Sequence, residues 1–495
     1  MDIEECNNLS KKDKIKLAEK YGISNDEIKN TSNICKLIKN KYNKKFPCNQ
    51  IVEDDTNLTI KRHQLNVSNH LINSRGVIVY HQVGTGKTLT AITTAQCLLL
   101  SNIIKKVIVV TPTSLQDNFK KSLIQYNPDI DMTKYHFYTI QKLVNDIQNR
   151  EVESCKNSLV IIDEAHNLRT LEGSRFVVIY NYCLKAEKVL LLTATPFINY
   201  KYDIINLVSL IKGEPPITKE EFYSIVKNKK ELKEYLKDTF SLYFKTNLPD
   251  PNFPSKEVIS IFLEMPPEYL KIYNKIEKGE AAKIPAFRDK NIQVFYNGVR
   301  RASNVINSLS PKNEWILQKI LMNKPSKFLI FSHFLEMGII PVMKRLDEHD
   351  MKYLSVTGDM TIQQRKHAVD EYNSGNVNIL FISKAGSEGL DLKNTTYIIL
   401  MDPSWNENEI EQIIGRGVRY KSHHALATTK RKVIIYKLYC IKPIEYKNLE
   451  IINKNNLLEY KDEILSIDFY LKNYSKLKQQ DINSFYDLIQ KWKIT

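Results

Sequence analysis

The residues with the clearest chemical capacity lie in His81-Gln-Val-Gly-Thr-Gly-Lys-Thr88. Gly84 and Gly86 let the backbone turn tightly, so that successive N–H groups along Gln82, Val83, Gly84, Thr85 and Gly86 can point at phosphate oxygens. Lys87 would reach the β- and γ-phosphates of a nucleotide, and the Thr88 hydroxyl would sit on Mg²⁺. One position departs from the usual G-x-x-x-x-G-K-[ST] pattern, since His81 stands where the first Gly is expected. A second group is Asp163-Glu-Ala-His166, directly after the apolar run Leu159-Val-Ile-Ile162. Asp163 would hold the Mg²⁺, directly or through water, and Glu164 would polarise the water that attacks the γ-phosphate. A third is Gln412-Ile-Ile-Gly-Arg-Gly-Val-Arg419. Arg416 and Arg419 are three apart, so on a helix they would leave one face together, and paired guanidinium groups suit a γ-phosphoryl transition state. Gln64, ahead of the phosphate loop, has the bidentate amide that reads an adenine edge.

These groups need strands to aim them. Val77 to Tyr80 is an apolar run leading into the loop, and Leu89 to Leu100 is helix-prone, giving the strand–loop–helix order a phosphate site requires. Val107-Ile-Val-Val-Thr-Pro112, Leu159 to Ile162 and Val189-Leu-Leu-Leu-Thr-Ala-Thr-Pro196 are continuous apolar runs, as in strands buried on both faces of a parallel sheet. Asp163 then falls at the carboxyl edge of its strand, where ligands sit in open α/β sheets. A second series of alternating strands and helices begins at Lys327-Phe-Leu-Ile-Phe-Ser332. It continues through Tyr353 to Gly358, Asn378 to Ser383 and Tyr397 to Asp402, with no phosphate loop of its own.

The fold expected is therefore α/β, with two tandem parallel-sheet domains at residues 55–210 and 311–445. Residues 1–50 read as a small helical module, either SAP-like or a solvated hairpin, with helices near Leu9–Gly22 and Ser32–Tyr42. Prolines and Lys/Glu-rich stretches mark 211–310 as a linker with a helical protrusion, in which Arg300-Arg301 either faces nucleic acid or closes the second domain. Residues 446–495 read as a helical tail capping the second domain.

With 495 residues the chain exceeds one ordinary domain, and a 42% hydrophobic content excludes wholesale disorder. A net charge of +16, spread along the chain, suits a polyanionic partner. The seven cysteines are scattered without a C-x-x-C pair, so neither a zinc site nor a disulfide framework is expected, and a reducing compartment fits. The polar N-terminus is unlike a signal peptide, and no apolar run nears the ~20 residues of a membrane span, so the expectation is a cytoplasmic, non-secreted protein.

Taken together, Gln64, Gly84-Thr-Gly-Lys-Thr88, Asp163-Glu-Ala-His166, Thr193-Ala-Thr-Pro196 and Gln412-x-x-Gly-Arg-x-x-Arg419 resemble superfamily-two helicases, in the family order over residues 55–445. Gly358-Asp-Met-Thr with Arg365, Tyr372-Asn373, and Asp402-Pro-Ser-Trp-Asn406 resemble the Swi/Snf-type branch of DNA translocases, notably its poxvirus members. Nucleoside triphosphatase I and the small subunit of the early transcription factor also carry His at the first loop position. The resemblance implies RecA-like domains and an ATP- and Mg²⁺-dependent motor of a large DNA virus, working in host cytoplasm or virion. It implies nucleic acid as partner, duplex DNA favoured and RNA possible, with RNA polymerase or other transcription proteins alongside. Its alternatives are an RNA helicase and an ATPase subunit, or idle scaffold, of a transcription initiation or termination complex.

Overall fold

The structure is a computed structural model describing residues 6, 9–20, 23–24, 27–28, 33–38, 47–82, 84–170, 173–194, 200–243, 252–281, 297–386, 389–461, 463–492 and 494. The chain divides into two compact units. One comprises Met1–Phe197, Tyr202–Phe244 and Leu488–Thr495, the other Ile198–Lys201 and Lys245–Asp487.

In the first unit β1 (Gly76–His81), β2 (Lys106–Val110), β3 (Tyr135–Tyr138), β4 (Ser158–Ile162), β5 (Lys188–Thr193) and β6 (Phe240–Tyr243) form one sheet in the order β3-β2-β4-β5-β1-β6. Every pairing is parallel. Strands β1, β4 and β5 are buried along their whole length, which explains why their sequences are unbroken apolar runs. Two helices matter for the site. α1 (Arg62–Asn73) precedes β1, and α2 (Lys87–Leu100) leaves the loop and is buried from Thr90 to Leu99. The sheet's carboxyl edge thereby collects the ends of β1, β4 and β5.

The second unit repeats the plan with β7 (Ser255–Glu264), β8 (Phe328–Ser332), β9 (Leu354–Val356), β10 (Ile379–Ser383), β11 (Tyr397–Leu400) and β12 (Lys432–Ile441), in the order β7-β12-β11-β8-β10-β9, again all parallel. Period-2 alternation splits its core in two. Leu329, Phe331, Leu380, Ile382 and Ile398 pack on one face, while Phe328, Ile330, Ile379, Phe381 and Ile399 pack on the other.

Residues 211–310, expected as a linker, supply a strand to each sheet: β6 pairs with β1, and β7 pairs with β12 over ten positions. The tail forms a long helix, Ile467–Gln490, and beyond it the Ile494 N–H donates to the Phe240 carbonyl of β6. In the N-terminal module Lys11–Lys20 is helical, residues 34–38 are helical, and the rest of the second expected helix lies outside the described residues.

The expectation of no disulfides is corrected. Cys6 is bonded to Cys35 and Cys48 to Cys97, with Cα–Cα separations of 5.7 and 5.4 Å. Sequence spacing says nothing about which cysteines a fold brings within the reach of a disulfide.

Polar burial in the second unit is concentrated where α3 (Asn297–Asn304), α4 (Pro311–Met322) and the final helix meet. Lys312 Nζ lies 2.6 Å from Asp468 Oδ2, the two side chains being 0% and 1% exposed. Lys312 also donates to Asn304 Oδ1 at 2.7 Å, and Asp468 accepts from the Ser303 hydroxyl and the Cys440 N–H, both at 2.8 Å. Burial pushes the Asp468 carboxyl up from its ordinary range, against the pull of Lys312 and these hydrogen bonds. We predict that Lys312→Met costs about 3–5 kcal/mol, because it strands a buried carboxylate. Urea unfolding should show a lower midpoint, largely recovered in Lys312→Met with Asp468→Leu. A single variant as stable as the parent would contradict the assignment.

Candidate functional site

β1 delivers the chain to the loop through a fully buried strand. Gly84 and Gly86 both adopt left-handed backbone, φ 77° and 88°, as the tight turn demands, while Val83 lies outside the described residues. The Thr85 N–H and hydroxyl both donate to the Gln82 carbonyl, at 3.2 and 2.6 Å, closing the turn on itself. Lys87 and Thr88 open α2, and the Lys87 ammonium reaches back to the His81 carbonyl at 3.4 Å.

The structure gives His81 a local reason. It is completely buried, and its Nε2 lies 3.0 Å from the Ser241 hydroxyl of β6. Its ring meets His63 edge-on at 5.0 Å, and His63 in turn stacks on Tyr243 at 3.6 Å. Burial, then the nearby His63 and Lys87, hold the His81 imidazole down at about 3, so it is neutral. The side chain therefore ties the loop to β6, and its backbone carbonyl faces the loop lysine.

Gln64 is buried, and its amide braces the loop: Oε1 accepts from the Lys61 N–H at 2.8 Å and Nε2 donates to the Gly86 carbonyl at 3.3 Å.

Asp163 and Glu164 follow β4 as expected. Asp163 Oδ1 accepts from the Glu164 N–H at 2.9 Å and Oδ2 from the Thr111 hydroxyl at 3.3 Å. Burial first, and then the Glu164 charge, push the Asp163 carboxyl up to about 6, with Lys87 pulling the other way. Glu164 sits in left-handed backbone at φ 50°, ψ 45°, a conformation a non-glycine residue keeps only where its surroundings enforce it. Nδ1 of His166 has both a Glu164 oxygen and the Thr193 hydroxyl at 3.3 Å. Burial, Arg169 and Lys87 hold that imidazole down at about 4, so it is neutral and Nδ1 can serve either neighbour. Because β5 lies between β4 and β1, Thr193 at its end stands between the carboxylates and the loop. Thr195 and Pro196 lie outside the described residues.

The second unit also carries α5 (Glu407–Gly417) and the final helix α6 (Ile467–Gln490). Gln412 and Arg416, both half-buried, share a face of α5 at i, i+4. Arg419 does not share it, so the two arginines do not leave one helical face as expected. The helix ends at Gly417 and Val418 is non-helical, so Arg419 turns away to donate to the Leu390 carbonyl at 2.9 Å beside Asp391 at 3.6 Å. Gly417, at that end, is closely packed: a side chain there would meet Ile398 at 3.2 Å and Thr395 at 3.3 Å. Arg300 closes the unit, being 7% exposed and donating to the Pro403 carbonyl, whereas Arg301 is exposed. Trp405 packs against Tyr474 of α6 at 5.8 Å, and Asn406 caps α5 by accepting from the Asn408 N–H. His333, which sequence reasoning passed over, bonds both Asp402 and Glu409. Its position one residue past a buried strand was the signal available.

Among the described residues no group of three or more His, Cys, Asp or Glu side chains is placed to hold a metal ion. Mg²⁺ does not need one, since it binds one or two carboxylates plus phosphates and keeps waters. Two adjacent carboxylates, one raised by burial and repulsion, fit a site that takes up a cation. We predict that Gly86→Ala weakens nucleotide binding about tenfold, since left-handed backbone costs a non-glycine residue roughly 1–2 kcal/mol. The added Cβ would also lie 2.7 Å from Gln64 Nε2. Titration with a fluorescent ATP analogue checks this, and parent-like affinity would contradict it.

A model of the type III restriction enzyme res subunit matches residues 57–198, an SNF2-related domain model residues 137–315, and a helicase conserved C-terminal domain model residues 311–421. A protein of Acanthamoeba polyphaga mimivirus assigned as an ATP-dependent RNA helicase is 33% identical over 459 residues, covering 87% of this chain and 97% of its own. Nucleoside triphosphatase I of Choristoneura biennis entomopoxvirus is 25% identical, covering 88% of this chain and 79% of its own. The Sulfolobus solfataricus SWI2/SNF2 ATPase core, solved with double-stranded DNA, is 18% identical, covers 87% of this chain and 97% of its own, and gives a TM-score of 0.36. No helix among the described residues is long and apolar enough to cross a membrane. The similarity to the mimivirus relative, along nearly its whole length, establishes that this chain belongs to the SNF2-related branch of the superfamily-two helicases and is a nucleic-acid-dependent ATPase.

Proposed function

We propose that the chain is an ATP-driven translocase that moves on duplex DNA in the transcription of a large DNA virus, in the host cytoplasm or the virion. The observation carrying this reading is the convergence of Lys87, Asp163, Glu164 and, through His166, Thr193 at one edge of the first sheet. Lys87 holds the β- and γ-phosphates, the loop N–H groups cradle them, and Gln64 couples the loop to the base. Thr88 and Asp163 would hold Mg²⁺, which would supply positive charge against the charge developing on the transferred phosphoryl group. Glu164 orients and deprotonates the attacking water. Gln412 and Arg416 act on the same reaction from the second unit, with Arg416 as the arginine finger. Arg419, bound to Leu390 and Asp391, keeps the segment after α5 in place. Alternating strong and weak nucleic-acid contact through the hydrolysis cycle then steps the protein along phosphates, so its binding is salt-sensitive and weakly sequence-selective.

Duplex DNA is favoured by the Asp402-Pro-Ser-Trp-Asn406 block and by the match to the SNF2-related model. An RNA substrate is the second reading, supported by the assignment given to the mimivirus relative. A role beside RNA polymerase is supported by similarity to the African swine fever virus termination factor homolog, 24% identical over 73% of this chain.

Glu164→Gln should retain ATP binding and lose turnover, whereas Lys87→Ala should also weaken binding. Parent-rate hydrolysis by Glu164→Gln would remove the proposed base. Arg416→Ala should bind ATP nearly as the parent does and lose about 10³-fold or more in nucleic-acid-stimulated hydrolysis. Triplex displacement on duplex DNA, run beside phosphate release, separates movement from chemistry, and normal stimulated hydrolysis in Arg416→Ala would overturn the two-unit mechanism.

A further inference from the structure

His333 follows β8, and its imidazole stands between two carboxylates from different elements. Nδ1 bonds Asp402 Oδ2, beyond the end of β11, and Nε2 lies 3.0 Å from Glu409 Oε2 on α5. The His333 and Asp402 side chains are 8% and 1% exposed, that of Glu409 20%. A neutral imidazole has one N–H, so two carboxylate partners are satisfied together only by the imidazolium.

Further polar and charged groups surround the three side chains. Asp402 also accepts from the Ser332 hydroxyl, the His333 N–H at 3.1 Å and Asn304 Nδ2 at 3.2 Å, with Arg300 of α3 at 3.9 Å. Lys312 of α4 adds a favourable charge to Asp402. Glu409 faces the Lys384 ammonium at 2.7 Å and the Ser404 hydroxyl. The rings of Phe331 and Phe334 flank the imidazole at 5.0 and 6.4 Å. Burial works hardest against the His333 charge, but Asp402 and then Glu409 outweigh it, leaving its pKa raised. Both carboxylates end well below their usual range despite burial, chiefly through His333.

Glu409 occupies a particular place on α5. Gln412 and Arg416 lie three and seven residues further on, and that spacing puts all three on one helical face. The ion pair therefore fixes the start of the face on which the proposed arginine finger is carried.

We propose that His333, clamped as an imidazolium between Asp402 and Glu409, is a positioning residue for the α5 face bearing Gln412 and Arg416, so that stimulated ATP hydrolysis requires its proton. This rests on the reading of Arg416 given above. The folded-state pKa is raised, so the clamp is complete below the ordinary histidine value of about 6.5 and is lost as pH rises through the raised one. Stimulated kcat should accordingly have an alkaline limb set by His333.

The test is kcat and KM for ATP against pH, with saturating duplex DNA, on the full-length parent and two variants. Glu409→Gln keeps an oxygen that accepts from Nε2 but removes one negative charge, so the limb should move to lower pH by about one unit or more. Lys384→Met removes a cation competing for Glu409 on a side chain that is 69% exposed, and should move the limb to higher pH. In both, KM for ATP should stay within about twofold of the parent, since a nearby charge alters the proton affinity of the clamp and not the phosphate loop. Opposite shifts support the clamp, and a limb left in place by either variant overturns it. Should Glu409→Gln fail to fold, Lys384→Met decides alone. If Arg416→Ala keeps normal stimulated hydrolysis, the reading of α5 itself fails. If Arg416→Ala is inactive while the limbs stay put, only the clamp does.

Discussion

Two neighbouring carboxylates at the end of a buried strand repel each other, and the first unit is arranged around that repulsion. Burial adds to that repulsion, because a lower effective dielectric strengthens it and disfavours the charged form. Asp163 bears this cost while buried, offset in part by Lys87, the Thr111 hydroxyl and the Glu164 N–H. Each helper comes from a different element: Lys87 from the start of α2, Thr111 from just past β2. The parallel sheet, with β5 between β1 and β4, is what gathers their ends at one edge. The residual imbalance leaves Asp163 raised to about 6, the condition of a site that gains from an added cation.

The second unit treats buried carboxylates in the opposite way. Asp402 and Glu409 are surrounded by His333, Arg300, Lys312 and Lys384, and both are held well below their usual range. Charges satisfied in this manner have no use for an added cation and serve to hold elements together. The same chemistry, a carboxylate at a strand or helix end, thus makes a receptive site in one unit and a clamp in the other. What differs is the number of cations within reach.

The strands that carry these groups were legible because burial on both faces leaves continuous apolar runs, as in Val189 to Leu192 and Phe328 to Phe331. The phosphate loop was legible because Gly84 and Gly86 stand at positive φ, where other residues are disfavoured. What the His81 side chain does at the first loop position is visible only with β6 beside β1, which places Ser241 against it. β6 itself was hidden, since a short strand after Lys/Glu-rich helices carries little periodic signal. Residue spacing alone puts Arg419 on the helical face of Arg416, but the helix ends at Gly417 and Val418 is non-helical, which spacing does not reveal. His333 and the cysteine pairs depend on contacts between residues tens of positions apart, which local pattern does not encode.

The central claim is that ATP hydrolysis at the first unit answers to a nucleic acid, with duplex DNA the preferred one. Steady-state phosphate release by the full-length chain, measured without nucleic acid and with saturating duplex DNA, single-stranded DNA or RNA at one fixed salt concentration, tests it most directly. The account predicts a low basal rate raised most by duplex DNA. A rate equal in all four conditions, or one raised by RNA alone, would contradict it.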